Sequence, residues 1–96
     1  MEEKKCYEVV VSGIVQGVGY RFYTKLMADR LDIGGNVKNL KNGDVQLTIA
    51  MSDSEKEKFV RQLWRGTQFS KVTKVDVREM GYYNSEDFSE FEVKFK

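Results

Sequence analysis

Apolar positions recur along this chain with two different periods, and the switches between them outline its elements. Cys6 to Val11 is a β-branched-rich run closed by Ser12-Gly13 and reads as a strand. Val9, Val10 and Val11 are consecutive, so the pattern predicts a central strand covered on both faces. A glycine-punctuated stretch from Gly13 to Gly19 leads into a helix from about Tyr20 to Leu31. At about 100° per residue, Tyr20, Phe22, Tyr23, Leu26, Met27 and Leu31 fall within one half-circle, with Thr24, Lys25, Asp29 and Asp32 opposite. Arg30 falls in the apolar half, which its long stem tolerates at a helix end. Gly34-Gly35 reads as the end of this segment. Asn36–Leu40 and Asp44–Ala50 are two short strands. Between them Asn42-Gly43 supplies the two positive-φ positions of a tight hairpin turn. Val45, Leu47 and Ile49 alternate with Gln46, Thr48 and Ala50, so one face of that strand is buried and the other partly wet. Ser54-x-x-Glu57 is a capping box for a second helix, and Ser52-x-x-Glu55 offers another register. Phe59, Val60, Leu63 and Trp64 form that helix's core stripe, and Arg65-Gly66 closes it. Val72–Met80 and Phe91–Phe95 alternate as two further strands.

The resulting order is β-α-β-β-α-β with one extra short strand, which matches the split βαβ, ferredoxin-like pattern. It predicts an α+β fold with two helices on one face of an antiparallel sheet. A length of 96 residues predicts a single domain spanning 1–96, too small for a two-domain dehydrogenase, a TIM barrel or a kinase. Lys plus Arg number 16 and Asp plus Glu 15, so no cationic excess favours nucleic acid or an anionic membrane as partner. The chain has no His, which removes His triads, His bases and most zinc or copper sites together. Its one Cys, Cys6, permits no intrachain disulfide and reads as buried and inert. Acidic residues are scattered rather than grouped as Mg²⁺ ligands, so neither metal nor cofactor is expected. The N-terminal apolar run is about four residues, where a signal peptide needs about 7–15 and a membrane span about 20. The expectation is a cytoplasmic monomer.

The loop from Gly13 to Gly19 carries most of the chemical information. Three glycines in seven residues between a strand and a helix let the backbone curl and point several N–H groups inward. Such a nest, opening onto a helix N-terminus, binds anions. The sequence is not a Walker A loop, and Phe22 breaks its near match to GxGxxG, so a nucleotide is not the expected ligand. The alternative is a plain strand-to-helix turn. Arg21 bears on the choice. A cation beside the positive end of a helix dipole is misplaced by about 0.3–1 kcal/mol unless an anion sits between them. The other reading of Arg21 is a surface ion pair. Asn39 ends the second strand. In the split βαβ pattern that strand lies beside the first, so Asn39 approaches the loop, where its amide suits a bound water. The other reading of Asn39 is that it simply terminates a strand.

These residues resemble the acylphosphatase family. Gly13-Ile14-Val15-Gln16-Gly17-Val18-Gly19-Tyr20-Arg21 is similar to its signature G-x-V-Q-G-V-x-[aromatic]-R. Gly35 to Val45 is similar to a second, G-[aromatic]-V-K-N-x-x-x-G-x-V, and the resemblance spans nearly the whole chain. It implies metal-independent hydrolysis of the carboxyl–phosphate bond of a small acyl phosphate. Arg21 and backbone N–H groups of Val15, Gln16, Gly17, Val18, Gly19 and Tyr20 would bind the phosphate, and Asn39 would orient the water. It also implies that the bound phosphate accepts the water's proton. Phosphoryl transfer is served mainly by positioning and electrostatics, so no histidine is required. Gly19, Asp32, Asn36 and Met51 depart from the family pattern, and none of them replaces Arg21 or Asn39. Asp at position 32 is expected to adopt the left-handed geometry usually given to Gly. A non-catalytic small-anion module is the alternative. So is an RNA-binding one, stacking bases on Tyr7, Tyr82, Tyr83, Phe88, Phe91 or Phe95, although no RNP-like string occurs.

Overall fold

In the computed structural model, which describes residues 3–81 and 85–95, the period-two runs form strands and the period-3.6 runs form helices. The order is β1 (Lys5–Ile14), α1 (Tyr20–Arg30), β2 (Gly34–Asn39), β3 (Val45–Met51), α2 (Asp53–Arg65), β4 (Lys71–Glu79), a 3₁₀ turn (Ser85–Phe88) and β5 (Phe91–Val93). The sheet runs β4-β1-β3-β2-β5. It is mixed rather than wholly antiparallel, because β5 returns to the outer side of β2 and runs parallel to it. The expectation that β2 lies beside β1 is overturned. The tight hairpin lays β3 against β2, and β3 takes the place next to β1.

One sheet face is apolar. Tyr7, Val9 and Val11 stand in register with Ile49, Leu47 and Val45, and Val37 lies across from Leu47. All are buried under the helices. The other face carries Glu8, Ser12, Lys38, Gln46, Thr48, Lys74, Asp76 and Arg78, with Arg78 Nη2 2.8 Å from Glu8 Oε1. β1 is central as expected, but Val10 on this second face is only half-buried, so three consecutive valines do not require cover on both sides. Tyr7 and Phe91 are buried, which withholds them from any base-stacking surface. Tyr82 and Tyr83 lie outside the described residues.

The fully buried residues of α1 are Tyr20, Thr24 and Ala28; of the expected apolar half, Tyr23, Met27 and Leu31 also pack partly buried against the core, and Phe22 and Leu26 do not. Phe22 and Leu26 are 65% and 51% exposed. Thr24 and Ala28 are small, so the helix backbone can sit close to the sheet. The Thr24 hydroxyl escapes a desolvation penalty by donating to the Arg21 carbonyl at 2.7 Å. The helix ends at Leu31, and Asp32 takes φ 57, the left-handed geometry expected of it. Gly34 and Gly35 do not end the helix; they open β2, where a Cβ would strike the Phe88 carbonyl or the Thr48 carbonyl.

Of the two capping registers, the helix uses Ser52. Its Oγ accepts from Glu55 N–H at 3.3 Å, and Glu55 Oε1 accepts from Ser52 N–H at 2.8 Å. Met51 ends β3 fully buried, and the next residue, Ser52, already caps α2. Phe59 and Leu63 reach the core, whereas Trp64 is 48% exposed rather than buried. In the hairpin only Gly43 has positive φ, at 98°. Gly43 N–H donates to Leu40 and Leu40 N–H to Asp44, a turn closed by a glycine bulge rather than the expected two-residue turn. Cys6 is buried, and burial pushes its thiol up. No helix among the described residues is long and apolar enough to cross a membrane.

Candidate active site

β1, β2 and β5 all point the same way, so the loop after β1, the hairpin after β2 and the residues after β5 share one end of the sheet. The start of α1 joins them there. Gly17 and Gly19 have φ 73° and 77°, alternating with Val18 on the other side of the map, which curls successive N–H groups toward one side. No heavy atom comes within 4 Å of where a Cβ would stand on either glycine. Gly19 is the N-cap of α1, no side chain caps the helix, and its first turn has no acidic residue. The positive end of the helix is therefore uncompensated, and Arg21 adds a cation to it. Val15, Gly17, Gly19, Tyr20, Arg21 and Phe22 line one cavity of about 160 Å³ at this point. Of the expected cradle, Gln16 and Val18 are not in its lining.

Those two residues anchor the loop instead. Gln16 Nε2 donates to the carbonyls of Leu40 and Asp44, both at 2.8 Å, clamping the loop to the neck of the hairpin. The Val18 carbonyl accepts from the Thr67 hydroxyl at 3.1 Å, which ties the loop to the connection between α2 and β4. The Tyr20 hydroxyl donates to Leu63 at 2.7 Å, pinning the start of α1 to α2. We expect Gln16→Leu, which removes the second donor from two carbonyls that keep a backbone N–H each, to cost about 0.5–1.5 kcal/mol in urea unfolding. It should also lower turnover by about tenfold to a hundredfold through misplacement of the loop, checked by steady-state kinetics.

Burial raises the Tyr20 phenol above its ordinary value of 10.0, with the neighbouring Tyr23 adding to the shift; burial raises Tyr23 too, against the pull of Arg65 and Arg30. A raised folded-state value means that the unfolded chain releases these protons first. Their stabilisation is therefore complete below about pH 10 and is lost as pH rises beyond it. Urea unfolding from pH 8 to 11 should show this fall, and Tyr20→Phe should flatten it.

Arg21 reaches the end of the chain. Its Nη1 donates to the Lys94 carbonyl at 2.7 Å, and its guanidinium lies 4.7 Å from the centroid of the Phe95 ring. It forms no ion pair with a carboxylate among the described residues. Lys94 N–H in turn donates to Val37, two residues before Asn39. Asn39 closes β2 opposite Val45, and its Oδ1 is buried with no hydrogen-bond partner. A buried orphan acceptor costs about 1–3 kcal/mol, and a water donating to it removes that cost. Arg21, the loop and Asn39 thus meet at one end of the sheet. The premise of a β1–β2 pairing fails, but Asn39 is joined to the loop through the hairpin that Gln16 grips.

Sequence reasoning missed Thr67, the Lys94 carbonyl and Phe95. Thr67 and Lys94 act across 49 and 73 residues, and nothing in their local sequence marks them. Among the described residues no three of His, Cys, Asp and Glu converge as a metal site.

Residues 7–93 match the family model for acylphosphatases. A curated acylphosphatase of Clostridium beijerinckii is 33% identical over 89 residues, covering 93% of this chain and 97% of the relative. A crystal structure of acylphosphatase from Bacillus subtilis superposes with TM-score 0.85 at 32% identity, covering 96% of this chain and 99% of that one. The structure of an acylphosphatase from Coxiella burnetii gives 0.86 at 33%, covering 95% and 93%.

Proposed function

Because this chain belongs to the acylphosphatase family, we infer that it hydrolyses acyl phosphates through Arg21 and Asn39 without a metal. The observation that carries this reading is the cavity at the uncapped start of α1, lined by Gly17, Gly19, Tyr20 and Arg21. A phosphate there meets backbone N–H groups, a helix dipole and a guanidinium fork, all of which favour a dianion. Val15, Gln16 and Val18 contribute to the loop that holds those groups in place. One Arg21 N–H is engaged by Lys94, and the remaining donors are available to the phosphoryl oxygens.

A water donating to Asn39 Oδ1 keeps a lone pair for phosphorus. As the new P–O bond forms, the bond from phosphorus to the carboxyl oxygen breaks, and its electron pair leaves on the carboxylate. The water's proton passes to a phosphoryl oxygen, so the products are a carboxylate and inorganic phosphate. A carboxylate is a good leaving group and needs no protonation by the enzyme. Charge on the equatorial oxygens is met by preorganised donors, which supply most of the catalysis in this reaction class. The domain is read as 1–96, acting as a cytoplasmic monomer on a small acyl phosphate rather than on nucleic acid or a membrane.

Hydrolysis of benzoyl phosphate in EDTA tests this. Turnover that survives the chelator is expected. Turnover lost to EDTA and restored by Mg²⁺ would sink the metal-free reading. A folded protein that binds inorganic phosphate but turns nothing over would be an anion-binding module instead.

A further inference from the structure

The expected apolar face of α1 and the observed one differ in two residues that pack against nothing in the core. Phe22 is 65% exposed, and Leu26, one turn further on the same side, is 51% exposed. They lie opposite Thr24 and Ala28, the residues against the sheet. Phe22 is also in the lining of the cavity at Arg21. Helical side chains lean toward the N-terminus, so a ring on the first turn of α1 leans over the loop that precedes it. Phe95, 70% exposed, lies over the Arg21 guanidinium. One mostly exposed phenyl ring, Phe22, thus shares the cavity lining with Arg21, and a second, Phe95, is in contact with its guanidinium. Scattered exposed apolar residues are ordinary; an exposed ring that lines a ligand cavity and is continued one turn on by a second exposed apolar side chain marks a contact surface.

We propose that Phe22, continued by Leu26, is the acyl subsite, and that it selects acyl phosphates carrying an aromatic or extended apolar acyl group. The proposal rests on the phosphate occupying the cavity at Arg21. With the phosphate held on the loop N–H groups beside Arg21, the acyl group lies in the rest of the cavity of about 160 Å³, whose lining includes Phe22. An apolar acyl group then covers exposed ring surface on Phe22, whereas an acetyl group is too short to gain much from it.

The test compares benzoyl phosphate with acetyl phosphate, which present the same phosphoryl group. The readout is the ratio of their kcat/KM values, with inhibition by inorganic phosphate followed alongside. A general loss of structure or of phosphate affinity lowers both substrates and leaves the ratio unmoved. In Phe22→Ala the benzoyl-to-acetyl ratio is expected to fall about tenfold, and Phe22→Tyr should retain it. A ratio changed by less than about twofold in Phe22→Ala overturns the subsite while leaving the hydrolase reading intact. Wild-type protein that hydrolyses neither compound overturns both.

Discussion

Arg21→Ala is expected to reduce kcat/KM for benzoyl phosphate by about 10³–10⁵-fold, the range by which arginines that neutralise a transferring phosphoryl group raise turnover. Arg21→Lys should recover only a small part, because an ammonium keeps the charge but cannot present a planar fork to two oxygens. The loss must be separated from unfolding, since Arg21 also holds the Lys94 carbonyl and the Phe95 ring. Phosphate binding does that. A ligand that binds only the folded state stabilises by about 2.7 kcal/mol at a hundred times its Kd. Wild-type protein should therefore gain melting temperature with added phosphate. A folded Arg21→Ala should gain much less. Without phosphate its own stability should change little, because removing a cation from the positive end of α1 relieves about 0.3–1 kcal/mol while the tail contact is lost. An Arg21→Ala protein that still turns over at near the wild-type rate would refute the assignment.

Asn39→Ala is expected to separate activity from stability in the opposite way. Turnover should drop by about 10²–10³-fold, the cost of losing one preorganised hydrogen-bonding group at a reacting centre. Inhibition by phosphate should be nearly unchanged, because the cavity at Arg21 does not include Asn39. Stability in urea should hold or rise by about 1 kcal/mol, because the variant deletes a buried oxygen that has no protein partner. A residue kept at a cost to folding is the signature of a functional constraint. If Asn39→Ala instead lowered stability and left kcat intact, Asn39 would be only the end of a strand.

Much of this site is legible locally. Gly17 and Gly19 announce a curled backbone, Arg21 a charge in the wrong place on a helix dipole, and Asn39 an amide at a strand end. Each is chemistry that a residue carries with its immediate neighbours. The misreadings share a cause. Phe22, Leu26 and Trp64 satisfy helical periodicity but are exposed, while Thr24 is wholly buried. Periodicity ranks side chains by polarity. Packing ranks them by whether they fit between a helix and a sheet, and a small residue wins where the backbone comes close. Gly34-Gly35 likewise looks like a helix stop, but serves a strand crowded by Phe88 and Thr48.

By itself, then, the sequence determined the number and kind of elements, the glycine-bent backbone of the loop, and Arg21 and Asn39 as the residues proposed for the chemistry. These follow from backbone geometry and side-chain chemistry that act over a few residues. Only the tertiary structure decided that β3 stands between β1 and β2, that Gln16 grips the hairpin beside Asn39 and that the chain end meets Arg21. Those contacts join segments up to 73 residues apart. They arise because one apolar sheet face must be covered, and covering it fixes which strand ends share a side.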